Sequence, residues 1–306
     1  GGDQRRLRLW GVVLAVAIAG TFVGAALGQI QIANTFYHQI AWNPWASVAG
    51  GLVFGYGMAL AGNCGFGALV RFGGGDLRSL VVVVVMGIFG FITLSGPLAP
   101  LRVALFDQME TRDPQGIAAT VQAITGLPQL ATALIVAAGF LLWALLHGPL
   151  RRQPVEIVWG VVAGAAVVFA YWGTSWVNDA SMGEIGVEGL SFTAPVGRTL
   201  IFLMTSTAGG INFSVGSVLG VMAGGVAGSL WRGMFRWEAC EDPRELGRQV
   251  GGAALMGIGG VIALGCSVGQ GVSAFATLAW SAPVTLAAIA AGALFGLRRL
   301  IGATAE

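Results

Sequence analysis

The sequence predicts an all-α polytopic membrane protein built as inverted repeats, with two broken (half) helices meeting near the bilayer midplane. Three observations predict it: a charge-poor composition, a series of membrane-length apolar runs, and a cysteine motif that occurs twice. Of 306 residues, 56% are hydrophobic and 10% are charged, against roughly a quarter charged in a soluble domain. Mean hydropathy is +0.79, and all sixteen basic residues are Arg. A soluble chain of this kind has too little polar surface to cover itself, whereas in lipid its apolar surface meets the right solvent. The formal charge of +2 gives no ground for a nucleic-acid partner.

About twenty apolar residues are needed to cross the bilayer core as a helix. Runs near that length lie at 9–28, 79–96, 129–147, 155–173, 213–231 and 283–297. The first follows Arg5, Arg6 and Arg8 and is too long for the core of a signal peptide, so it reads as a membrane anchor. The chain opens Gly-Gly-Asp without Met, which reads as a cloning scar or a truncated start. Segments 45–72 and 248–280 are also apolar, but each is interrupted by a Gly-rich stretch holding a cysteine. Gly permits non-helical backbone and disfavours helix, so each segment is expected to be a broken helix.

The interruptions match. Superposing Cys64 on Cys266 also superposes Gly55 on Gly257, Gly57 on Gly259 and Gly67 on Gly269. The shared pattern is G-x-G-x6-C-x2-G. Upstream of each lies a ladder of small residues, Gly20, Gly24, Gly28 and then Gly220, Gly224, Gly228. In lipid that spacing lets helix backbones approach closely, and the second ladder, extended to Gly216, is expected to serve helix packing. The chain is therefore expected to be a single transmembrane transport domain over 1–306. Repeat 1 runs over about 8–96, connecting helices over 97–207, and repeat 2 over about 208–300.

Arginine placement orients it. Arg5, Arg6 and Arg8, then Arg151 and Arg152, the 232–248 segment, and Arg298 with Arg299 mark the cytoplasmic side. Both termini are then cytoplasmic, with 29–44 and 174–197 outside. If 198–212 is re-entrant, the second motif runs opposite to the first.

Backbone leaves helical geometry at membrane depth only where protein or a watery cavity satisfies it, so such paired breaks point to a transporter or channel. Each half-helix restart presents orphan N–H groups, from Gly65, Phe66 and Gly67 at one site and Ser267, Val268 and Gly269 at the other. These can hold an anion without a basic side chain. A buried thiol is a soft, polarizable contact and a weak donor, so two of them suggest a sulfur-containing solute. Asn63 and Gln270 beside the cysteines either line the pathway or cap a helix end. Cys240, in the charged segment, has no repeat partner and is at most accessory. The Arg71-Phe-Gly-Gly-Gly-Asp76 stretch lacks the Lys of a phosphate loop and reads as a cytoplasmic cap on the pathway. His147 is expected to cap a helix end.

Enzymatic readings find little support. The sequence offers no metal set and no cofactor motif: His38 and His147 are its only histidines. Neither cysteine motif contains a base for intramembrane hydrolysis. The apolar runs carry no mid-membrane carboxylate for proton coupling, which favours a facilitated pathway.

At Gly62-Asn-Cys-Gly-Phe-Gly-Ala-Leu-Val-Arg71 and Gly265-Cys-Ser-Val-Gly-Gln-Gly271 the sequence resembles the YeeE/YedE family of sulfur-transport membrane proteins. The resemblance implies uptake of thiosulfate through the inner membrane, with Cys64 and Cys266 as central relay cysteines. It also implies a cytoplasmic sulfur-carrier partner of the TusA-like type. The family pattern includes a further cysteine toward the N-terminus, and no cysteine precedes Cys64 here. The rival functions are a permease for another sulfur or selenium species and a non-transporting membrane scaffold for a sulfurtransferase.

Overall fold

The computed structural model describes residues 4–106, 109–111, 115–146, 148–207, 210–239 and 242–303. His147 and Cys240 lie outside the described residues, so the roles expected for them have no structural counterpart here. Among the described residues the chain is helical, with isolated β-bridges in place of strands. Six segments are long and apolar enough to cross a membrane: Gln4–Ala26, Pro44–Gly73, Leu77–Leu94, Pro154–Ala180, Phe213–Trp231 and Ser281–Gly302.

The helices follow from their caps and from the apolar runs. Helix α1 (Gln4–Ala26) is the anchor-like first run. Helix α2 (Pro44–Ala61) starts with Pro44 behind Asn43, whose side chain accepts from the N–H groups of Trp45 and Ala46. It stops at Gly62 in the left-handed conformation, φ 75°. After the break come α3 (Gly65–Gly73) and α4 (Leu77–Leu94), the latter capped by Asp76. Short α5 (Ala99–Leu105) and α6 (Ile117–Thr125) lead to α7 (Gln129–Leu145) and α8 (Pro154–Ala180). Then follow α9 (Ala194–Thr205), α10 (Phe213–Trp231) and α11 (Pro243–Ile262). A π-helical turn at Gly269–Ser273 runs into Ala274–Ala276, and α12 (Ser281–Ala303) follows.

The expected spans need two adjustments. Helix α7 ends at Leu145 and has 17 residues, about 26 Å of rise, short of the roughly 30 Å hydrocarbon core. Helix α8 continues seven residues past the end of its apolar run, to Ala180, so the loop expected from 174 begins only at Ser181. The extension is held by polar side chains facing inward: Thr174 donates to the carbonyl of Glu188, and Asn178 to that of Ile185. Helix α9, which overlaps the segment expected to be re-entrant, has 12 residues and is too short to span.

The chain divides into two compact units. The first comprises Gly1–Trp42, Met109–Leu190 and Gly271–Ala282. Within it α1 packs on α7 and α8 around Leu14, Ile18, Phe22, Ala133, Ala137, Val167 and Tyr171. The Tyr171 hydroxyl donates to the carbonyl of Ser273 at 2.8 Å, and Ser273 Oγ donates to that of Leu190 at 2.7 Å.

The second unit comprises Asn43–Gln108, Ser191–Gln270 and Pro283–Glu306. Its centre is the pairing of α2 with α11, which runs antiparallel: Gly50 faces Gly259 and Ala263, while Gly57 faces Gly252 and Met256. A methyl group at Gly57 would lie 2.5 Å from the carbonyl oxygen of Gly252, so only glycine allows this approach. Helix α4 packs on the other side of α11, and α3 packs on α10.

The two small-residue ladders fare differently. Gly20 packs on Val168 and Gly24 on Ile30, whereas side chains built at Gly216, Gly220, Gly224 and Gly228 would meet nothing within 4 Å. The packing expected of the second ladder is not made among the described residues. It is Gly225, off the ladder, that meets Val70 and Gly73.

Candidate functional site at the two helix breaks

At the first break, Gly62 turns the chain and Cys64 adopts extended backbone as the cap of α3. Its Sγ accepts the N–H of Gly67 at 3.4 Å, and its carbonyl accepts that of Ala68 at 2.8 Å. Sulfur thus takes the place usually held by a Ser, Thr, Asp or Asn oxygen. Asn63 folds its side-chain oxygen over Gly67, where a Cβ would otherwise project. The thioether of buried Met86 fills the space beside Gly65. Cys64 itself is half-buried.

At the second break two consecutive residues have positive φ, Leu264 at 56° and Gly265 at 156°. A Leu in that region is strained by about 1–3 kcal/mol, and such strain concentrates where a fold over-determines a site. The side-chain amide of Gln270 supplies the determination, donating to the carbonyls of Ala263 at 2.8 Å and Leu264 at 3.2 Å. Of the two readings open for Gln270, its Nε2 therefore caps α11. Its Oε1 is buried with no hydrogen-bond partner.

Cys266 is 1% exposed. Its Sγ accepts the N–H of Gly269 at 3.4 Å, the same i+3 contact that Cys64 makes. It also accepts the N–H of Phe192 at 3.3 Å, and Ser191 Oγ lies 3.8 Å away. Phe192 connects the motifs, for its ring centroid lies 5.2 Å from that of Phe66 in the restart after Cys64.

The sequence-selected residues therefore form two similar caps. The N–H groups of Gly67 and Gly269, expected to face a solute, are given to the cysteine sulfurs. Those sulfurs sit on the positive ends of the half-helices. Ser267 and Val268 begin the second restart, as Gly65 and Phe66 begin the first. Four neighbours escaped sequence reasoning: Met86, Ser191, Phe192 and Thr193. The detectable signal for three of them was a Ser-Phe-Thr stretch ahead of a Pro-started helix in an otherwise apolar chain.

The glycine-rich stretch after α3 is latched within the same unit. Gly74 and Gly75 carbonyls accept the N–H groups of Arg236 and Glu238, and Leu77 N–H donates to the Glu238 carbonyl. Arg78 pairs with Asp76, Glu238 and Glu245 at 3.4–3.9 Å. Burial works against the charge on Asp76, yet hydrogen bonds from Ser79 and Arg78 and the Arg78 charge hold its carboxyl below the usual range.

The first unit holds a polar cavity of about 740 Å³ lined by Asn34, His38, Glu110, Gln115, Gln129 and Thr277, among others. His38 Nε2 lies 3.2 Å from the Thr277 carbonyl. Burial pushes the His38 imidazole below its ordinary pKa, against the opposing pull of the Thr277 and Gln115 carbonyls. Among the described residues no group of His, Cys, Asp and Glu is arranged to hold a metal.

Residues 1–295 match the sequence model of a family described as "Sulphur transport". The chain is 28% identical over 284 residues to the thiosulfate transporter TsuA of Escherichia coli strain K12, covering 87% of this chain and 77% of that protein. It is 28% identical over 251 residues to the thiosulfate transporter TsuA of Spirochaeta thermophila, covering 78% and 73% respectively.

Proposed function

Because the chain belongs to the sulphur transport family, we propose that it is an inner-membrane permease that takes up thiosulfate past the paired cysteine motifs. That it is a sulfur-anion transporter follows from the family and from relatives named thiosulfate transporter. One observation supports the finer reading: both cysteine sulfurs cap a half-helix restart, and Phe192 touches both motifs.

An oxyanion pays a large desolvation cost on entering an apolar medium. The half-helix ends offset it with oriented N–H dipoles, and the sulfurs seated on those ends offer soft contacts to the terminal sulfur of the solute. No residue at either break is a general base, so the reading is of passage without chemical change. The antiparallel pairing of α2 with α11, each of which leads into a cysteine break, supports an inverted repeat. Cytoplasmic termini and delivery to a TusA-like sulfur carrier belong to the same proposal.

Radiolabelled thiosulfate uptake into liposomes containing only this chain tests it, with sulfate and sulfite as competitors. Uptake should be lost in Cys64→Ala and Cys266→Ala and mildly affected in Cys240→Ala. Vesicles that take up nothing would favour the scaffold, and preference for a selenium or another sulfur species would redirect the substrate.

A further inference from the structure

We propose that the Ser191 hydroxyl binds the sulfonate end of the transported anion beside Cys266, and so selects a solute with one soft and one hard end. The inference rests on the thiosulfate reading above and deepens it. Ser191 is 9% exposed, and its Oγ lies 3.8 Å from the sulfur of Cys266. It has no other hydrogen-bond partner among the described residues.

Two residues adjoining the backbone contacts of Cys266 also carry unspent hydrogen-bonding capacity: Thr193 follows Phe192, and the Gln270 N–H donates to the Cys266 carbonyl. Thr193 is 1% exposed with an unpartnered Oγ1, and the Oε1 of fully buried Gln270 is also unpartnered. Buried polar groups in folded proteins are normally paired, and leaving them unpaired is costly. Ser191, whose hydroxyl is spent only on the long contact to a sulfur, keeps capacity for a polar occupant.

The available donors decide its chemistry. The backbone N–H groups around Cys266, among them those of Phe192 and Gly269, are directed at Sγ. That leaves the Ser191 hydroxyl as the hard donor next to a soft sulfur. Thiosulfate presents a polarizable terminal sulfur and three hard sulfonate oxygens, and matches both. Sulfate offers only the hard end and hydrosulfide only the soft one.

Uptake kinetics in proteoliposomes test the assignment. Ser191→Ala should raise the KM for thiosulfate roughly tenfold, the loss of one hydrogen bond to a charged group, with the maximal rate little changed. Ser191→Thr keeps the hydroxyl and should restore the wild-type KM. Alkylation of Cys266 by N-ethylmaleimide, read by mass spectrometry, should proceed at the wild-type rate in Ser191→Ala, because the backbone N–H groups still hold the sulfur. An unchanged KM in Ser191→Ala overturns the proposal. So does an altered alkylation rate with a parallel fall in maximal rate, which would mark Ser191 as a support for the thiol. Absence of uptake by the wild-type protein would instead overturn the functional reading, and this inference with it.

Discussion

The backbone N–H of Phe192 donates to the sulfur of Cys266 at 3.3 Å, across 74 residues of sequence. The same residue sets its ring 5.2 Å from Phe66, two positions after Cys64. One short backbone segment ahead of α9 thus touches both helix breaks. The ring and the N–H can be separated by mutation, because the N–H survives any substitution except proline.

Phe192→Ala should therefore keep the contact to Cys266 yet lose a buried aromatic side chain. Truncating a buried Phe costs about 3–5 kcal/mol, so the melting temperature in detergent should fall by several degrees. Phe192→Leu should recover most of it. A melting temperature unchanged in Phe192→Ala would mean that the ring packing against Phe66 contributes nothing.

The antiparallel glycine pairing of α2 and α11 makes a second prediction. A methyl group at Gly57 would meet Gly252 O at 2.5 Å and Met256 N at 2.8 Å, backbone atoms that cannot rotate away. Gly57→Ala should push the helices apart and destabilise the second unit by about 1–3 kcal/mol, the usual cost of overpacking. Gly220→Ala, on the open ladder, should be neutral or mildly stabilising, since Ala is the better helix former. Thermal unfolding of both variants in one detergent decides the matter, and equal losses would contradict the packing.

Much of this was legible in the chain, for a physical reason. Apolar length and Gly-rich interruption are local properties, so the spans and the two breaks around Cys64 and Cys266 could be read directly. Gln270 was legible only as one of two roles, because whether an amide caps a helix or faces a solute depends on where the chain turns. Ser191 and Phe192 were invisible beside Cys266, since their contact is long-range. Their loop carries Glu184 and Glu188 and reads from sequence as solvent-exposed, whereas Ser191 and Phe192 are buried. The ladder at Gly220 misled because small residues at that spacing permit close packing without supplying a partner.

His38 sets a pH dependence in the first unit. Burial lowers its folded-state pKa below the ordinary 6.5. The folded state therefore binds the proton less readily than the unfolded chain, and stability present above pH 6.5 is lost as pH falls toward the folded pKa. The melting temperature should decline between pH 7 and pH 5 more steeply in the wild type than in His38→Gln, which keeps a donor near the Thr277 carbonyl. Parallel curves would show that His38 titrates alike in both states.

The sharpest test separates the chemistry of the thiols from their role as caps. Both sulfurs accept an i+3 N–H at 3.4 Å, and a serine hydroxyl does this as well or better, being among the preferred capping groups. Cys64→Ser and Cys266→Ser should therefore fold, insert and melt much like the wild type. Transport should not follow. A hydroxyl holds sulfonate oxygens firmly and the polarizable terminal sulfur weakly, so it strengthens the resting contact and weakens the handover. Forfeiting one favourable contact to a charged group, worth about 1.5–3 kcal/mol at the barrier, slows the step by one to two decades. Thiosulfate uptake should fall by that factor in each Ser variant while the melting temperature stays within a few degrees. If both variants transport at near wild-type rates, the sulfurs act only as helix caps, and passage depends on the oriented N–H dipoles alone.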